Sequence, residues 1–121
     1  MSFYKNTNSL EKRIYDSNRI RSKYPTHVPV IVEVDDKVGK IKKNKFLVPQ
    51  DVSATHLIYS IRNQIKFNKN DAMILFVGNV LICPSQIMHD VYDNYLSSNK
   101  TNGDLFMYVS VKSESTFGNI N

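Results

Sequence analysis

Few residues of this 121-residue chain are of a type that does covalent chemistry, and their spacing works against it. A thiol becomes a nucleophile when a nearby base or cation favours the thiolate. The one cysteine, Cys83, sits in Leu81-Ile82-Cys83-Pro84 with no base near it in sequence, so an inert, partly buried thiol is expected. His27, His56 and His89 lie about thirty residues apart, without the short spacings that gather zinc ligands. Asp90 and Asp93 share a helix face but lack a partner for acid–base work, and surface charge is the better reading. Glycine-rich phosphate loops, paired-histidine motifs and nucleophile elbows are missing too. The expectation is a protein that is not an enzyme, needs no metal or cofactor, and works by binding.

One stretch is suited to binding. Lys42-Lys43-Asn44-Lys45-Phe46-Leu47-Val48-Pro49 places β-formers and a proline behind lysines. Proline has no N–H to give a ladder, so a strand ending in Val48-Pro49 belongs at the side of a sheet. An open edge accepts an extended peptide through backbone hydrogen bonds, while apolar hollows beside it select side chains and lysines attract an acidic flank.

The elements that position this strand follow from periodicity. Residues 1 to 8 read as a loosely attached arm. Ser9 is a good N-cap, and Leu10, Ile14, Ile20 and Tyr24 form a thin apolar stripe on a basic helix that Pro25 ends. Val28 to Val34 is a strand with β-branched residues on both faces, hence central. Asp35 to Lys40 is a turn, and the Lys42 to Pro49 strand returns antiparallel. Ser53 then caps a helix whose Ala54, Leu57, Ile58, Ile61 and Ile65 share one face. Met73 to Val77 is a buried strand ended by Gly78-Asn79. Ser85 caps a helix with Ile87, Met88, Val91, Tyr92 and Tyr95 inward. Leu105 to Val111 is the last strand, and Lys112 to Asn121 is an aperiodic, mobile tail. Without the first helix the order is β-β-α-β-α-β, an α+β fold, that of the ubiquitin-like β-grasp roll with an added N-terminal helical segment. In that roll the first and last strands lie parallel in the centre and the Lys42 to Pro49 strand falls at an edge.

The totals bound the rest. The length suits one domain, and 41% apolar with 22% charged residues is a globular composition. No apolar run nears the roughly 18 residues of a membrane span, and the N-terminus lacks a signal-peptide core. A lone cysteine agrees with a reducing compartment, so a cytoplasmic protein, monomeric in solution, is expected. Residues 1 to 45 hold eleven of the sixteen Lys and Arg against five acids, and the remainder holds five against six. The basic half suits an acidic peptide, an anionic membrane or nucleic acid, and charge alone does not choose.

Seven motifs stand in the order of one family: Leu10-Glu11-Lys12-Arg13, Ile20-Arg21-Ser22-Lys23-Tyr24-Pro25, Val28-Pro29-Val30-Ile31-Val32-Glu33, Lys45-Phe46-Leu47-Val48-Pro49, Ile61-Arg62, Phe76-Val77 and Glu114-Ser115-Thr116-Phe117-Gly118. Over nearly its whole length the chain resembles the autophagy ubiquitin-like modifiers, the family of GABARAP and the microtubule-associated protein light chains. The resemblance implies an N-terminal helical extension at 1–25 packed on a ubiquitin-like domain at 26–112, and a flexible tail at 113–121. It also implies docking of acidic aromatic-x-x-aliphatic motifs carried by autophagy receptors. Asp16, Ile20, Pro29, Ile31, Lys45, Leu47 and Phe106 would take the aromatic residue. Phe46, Val48, Pro49, Val52, Leu57 and Ile61 would take the aliphatic one. Lys43 and Lys45 would meet the acids, and His27 and Arg62 belong to the same surface. Each filled hollow contributes roughly 1.5 to 3 kcal/mol before the peptide is ordered, which puts affinity in the micromolar range.

For the tail, the resemblance implies cleavage by a cysteine protease after Phe117-Gly118. Ubiquitin-type activating and conjugating enzymes would then join Gly118 to phosphatidylethanolamine, carrying the protein from cytoplasm to autophagosome membrane. A residue without a Cβ threads a narrow active site and lets a nucleophile reach its carbonyl. The chain departs from the family at His27, Asn44, Gln64 and Ile82-Cys83, where arginine, lysine, arginine and Pro-Pro are usual, and its 35–41 turn is shorter. The alternative is an unconjugated basic scaffold on microtubules or nucleic acid; nucleic acid is not the expected partner.

Overall fold

The computed structural model describes residues 2–67 and 71–114. From the N-terminus the elements are α1 (Phe3–Thr7), α2 (Leu10–Lys23), β1 (His27–Val34), β2 (Lys45–Pro49), α3 (Ala54–Arg62), β3 (Met73–Val77), β4 (Val80–Leu81), α4 (Met88–Ser98) and β5 (Met107–Ser113). The strands form one sheet in the order β2-β1-β5-β3-β4, with β1 and β5 parallel at its heart and the other pairs antiparallel. The β-branched run of β1 is buried on both faces, as its sequence predicts: Val28, Val30, Ile31 and Val32 are at most 1% exposed.

Strand alternation separates two layers. Val28, Val30 and Val32 share a face with Phe46, Val48, Met107, Val109 and Val111 by register, and α3 and α4 add Ala54, Leu57, Ile61, Met88 and Val91 to that core. Pro29, Ile31, Phe106 and Tyr108 point the other way, where the ring of Tyr4 meets Phe106 edge-on with centroids 5.8 Å apart. The helices α1 and α2 cover that side.

Several expectations change. The arm is docked over residues 2–8: α1 forms there, Tyr4 is 5% exposed, and Glu33 accepts hydrogen bonds from the Ser2 hydroxyl (2.8 Å) and the Tyr4 amide (3.0 Å). One carboxylate on β1 thus satisfies donors at the start of a five-residue helix that could not stand alone. Ser9 caps α2 as expected, accepting from the Lys12 amide at 3.1 Å. Yet Leu10 and Tyr24 of the supposed stripe are exposed, and the buried residue is Ser17, whose hydroxyl accepts from the Leu105 amide at 2.9 Å. The second strand starts at Lys45, not Lys42. Ser53 precedes α3 in extended geometry but makes no side-chain cap; it bridges to Ile87. Ile87, not Ser85, occupies the N-cap of α4. Gly78, with φ +61°, turns β3 into the short β4, which the sequence did not reveal. The strand β5 spans Met107–Ser113, two residues beyond the expected end. Cys83 is exposed, not partly buried, and Asp93 does have a partner, His89 at 3.1 Å.

Candidate functional site

Among the described residues β2 has a neighbouring strand on one side alone. Its register against β1 decides what the other side offers. The Val32 amide donates to the Asn44 carbonyl (2.7 Å) and the Gln50 amide to the Thr26 carbonyl (3.0 Å). Bonded pairs alternate along an antiparallel ladder, so Phe46 and Val48 turn their backbone groups to β1, opposite Val30 and Val28. Lys45 and Leu47, opposite Ile31 and Pro29, therefore turn N–H and C=O outward, and Pro49 turns out a carbonyl only.

Side-chain alternation sorts the expected site residues into two groups. Lys45 and Leu47 stand with Pro29 and Ile31 on the face that α1 and α2 flank; Phe46 and Val48 stand on the face of α3. Pro49, grouped by the resemblance with the second set, falls by register with His27 on the first face. Several residues of both sets are core. Ile31, Leu57 and Ile61 are 0% exposed, Phe106 is 1% and Val48 3%. They can floor a hollow but not wall it. What reaches solvent is Leu47, exposed, with half-buried Ile20 and Pro49 on one face, and half-buried Phe46 and Val52 on the other. The cavities of about 320 Å³ lie elsewhere, one beside Ser2, Glu33 and Lys112 and one beside Arg13, Lys100 and Tyr108.

The polar groups are arranged by α2. Asp16 lies 2.7 Å from the Lys12 ammonium, whose hydrogen bond outweighs partial burial and, with Lys12 and Lys45 nearby, holds the Asp16 carboxyl below its usual value. Lys43 and Lys45 are exposed, and among the described residues neither is in an ion pair. His27 is half-buried, one ring nitrogen 3.1 Å from the Thr26 hydroxyl. Arg62 is engaged elsewhere: it donates to the Asp71 carbonyl at 3.1 Å and lies over the Phe67 ring. Phe117 and Gly118 lie outside the described residues.

Two contributors went unread in the sequence. Tyr4 places its ring 5.4 Å from the Lys45 ammonium and so builds the flank of β2; Ser2 ahead of an aromatic pair was the available signal for its helix. Arg13 fastens α2 through a 2.9 Å pair with Asp104, which also accepts from the Tyr108 hydroxyl (2.6 Å) and the Phe106 amide (3.0 Å). Burial opposes the Arg13 charge, but the hydrogen bonds with Tyr108 and Asp104 prevail and raise its pKa. Nothing local in sequence joins positions so far apart. Among the described residues no group of three or more His, Cys, Asp or Glu is placed to hold a metal ion.

A family model described as autophagy protein Atg8, ubiquitin like, matches residues 12–118. The chain belongs to the Atg8 family. It is 40% identical over 119 residues to autophagy-related protein 8e of Arabidopsis thaliana, covering 97% of this chain and 93% of the relative. It is 38% identical over 121 residues to autophagy-related protein 8 of Mycosarcoma maydis, covering 98% of each. The crystal structure of Trypanosoma brucei ATG8 aligns with a TM-score of 0.82 at 25% identity, over 94% of this chain and 96% of that one. Plasmodium falciparum Atg8, in complex with a Plasmodium falciparum Atg3 peptide, aligns with a TM-score of 0.75 at 27% identity, over 93% and 96%. This Atg8-family chain thus has the ubiquitin-like fold its motifs implied.

Proposed function

We propose that this Atg8-family protein is a modifier that takes motif peptides of autophagy receptors along β2 by strand addition and is joined to phosphatidylethanolamine through Gly118. The observation that carries the first half is the outward pairing of Lys45 and Leu47 on an edge with no strand beside it among the described residues. Two further features suit it. Lysine and proline on an edge discourage pairing with a second copy, and the same Lys43 and Lys45 attract a peptide with acids ahead of its aromatic residue. Side chains of such a peptide would lie against Ile20 and Leu47 on one face and against Phe46 and Val52 on the other, above a floor of core residues.

For the second half, the family match extends through Gly118, and a related Atg8 is known in complex with an Atg3 peptide. Partners of the conjugating class suit this chain as well. Cleavage after Gly118 would release Asn119-Ile120-Asn121, and the new carboxylate, once activated, would form an amide with the headgroup amine. The protein would then divide between cytoplasm and autophagosome membrane.

Two substitutions test the halves separately. Gly118→Ala is expected to abolish the lipid adduct in intact-mass measurements from the native cell; an adduct that persists refutes the tail reading. Leu47→Ala is expected to weaken an acidic aromatic-x-x-aliphatic peptide about ten-fold by calorimetry, the value of losing most of one apolar contact. Unchanged affinity would remove β2 as the site.

A further inference from the structure

Parallel pairing of β1 and β5 brings their ends to one rim of the sheet. Val34 lies beside Val111, and the Asp35 amide donates to the Val111 carbonyl at 3.3 Å. Two segments leave this rim: the loop 35–44, and the chain beyond Ser113. The loop carries Lys37, Lys40, Lys42 and Lys43 against Asp35 and Asp36. Asp35 is partly occupied, accepting from the Lys37 amide at 2.9 Å. Lys66 adjoins the loop, its carbonyl 3.8 Å from where a Cβ on Gly39 would stand. All five lysines are exposed, and among the described residues none is in an ion pair.

Gly118 follows Glu114 by four residues, which span at most about 14 Å when extended. A lipid joined there would hold this rim close to a bilayer. Screening with a Debye length of about 8 Å then decides which charges the surface feels. The rim lysines are near; Arg19 and Lys23 lie toward the opposite end of the sheet, where β1 begins. We infer that the rim made by loop 35–44 and Lys66 is a contact surface for anionic phospholipid headgroups. It seats the conjugated domain with β2, which runs away from the rim, open to receptors. The orientation rests on the proposed conjugation at Gly118; the binding surface does not.

The full, unconjugated chain is to be tested by flotation with vesicles of phosphatidylcholine, with and without phosphatidylserine. Partition should appear with phosphatidylserine and fall as salt is added. A lysine near such a surface is worth roughly a five-fold change in binding. Lys37→Gln with Lys40→Gln should therefore reduce partition roughly twenty-five-fold, with motif-peptide affinity unchanged, while Arg19→Gln with Lys23→Gln should reduce it less than two-fold. Three results would overturn the inference: equal partition with and without phosphatidylserine, equal losses in the two double variants, or preference for single-stranded DNA over the anionic vesicles through the same lysines. Intact mass reports lipid attachment independently, so failure at Gly118 and failure of this surface are distinguishable.

Discussion

The sheet has two edges, β2 and β4, and both show apolar side chains to solvent. Leu47 on β2 is 38% exposed, while Val80 and Leu81 on β4 are 66% and 53% exposed. By hydrophobicity alone β4 is the better docking strand. Backbone register reverses the ranking. The Ile82 amide donates to the Leu75 carbonyl at 2.9 Å, and Val80 pairs with Val77 across the turn. Only Leu81 is left facing outward, with Pro84, which has no N–H, close behind. One residue cannot hold a visiting strand; Lys45, Leu47 and the Pro49 carbonyl can. The number of free backbone groups in sequence, more than exposed apolar area, separates an edge that recruits from an edge that only ends a sheet.

The comparison breaks most visibly at the flank of β2. Asp104→Ala leaves the Arg13 guanidinium, only 13% exposed at its side chain, without its counter-ion. A loss of about 3 kcal/mol in urea unfolding is expected, together with weaker peptide binding at β2. Next in size is the edge itself. Leu47→Pro removes an outward N–H and the leucine side chain while leaving the bonds to β1 intact. Motif affinity should fall more than a hundred-fold, about 3 kcal/mol, whereas Val80→Ser at the other edge should change it less than two-fold. Equal effects at the two edges would end the distinction. The smallest effect concerns β4, whose inner side faces Tyr95. Burial pushes the Tyr95 hydroxyl up to about 12. The folded state keeps this proton where the unfolded chain loses it near pH 10, so the group's contribution is full below about pH 10 and is lost between about 10 and 12. In Tyr95→Phe, stability measured across that window should decline less steeply, although buried Tyr92 and Tyr108, also raised, keep part of the slope.

Much of this was legible beforehand. The 3.6-residue spacing of Leu57, Ile61 and their neighbours, the unbroken Val28–Val34 run and the proline behind Val48 located α3, the central strand and the open edge. Each is a local signal, carried within a dozen residues. The docked arm was not legible, because Tyr4 is held by Glu33 of β1 and by the rings of Phe106 and Tyr108, all distant in the chain. Nor was Ser17, a small polar residue buried because the Leu105 amide needs an acceptor, nor β4, two residues too short to show a period.

Most element types and the strand with the free border were determined by sequence alone, since periodicity and proline act through the chain's own neighbours, and the family was carried by seven motifs standing in its order. Tertiary structure decided which expected liners are core and which reach solvent, and it decided which backbone groups of each edge point outward. Both depend on strand register, and register is set by partners distant in the chain.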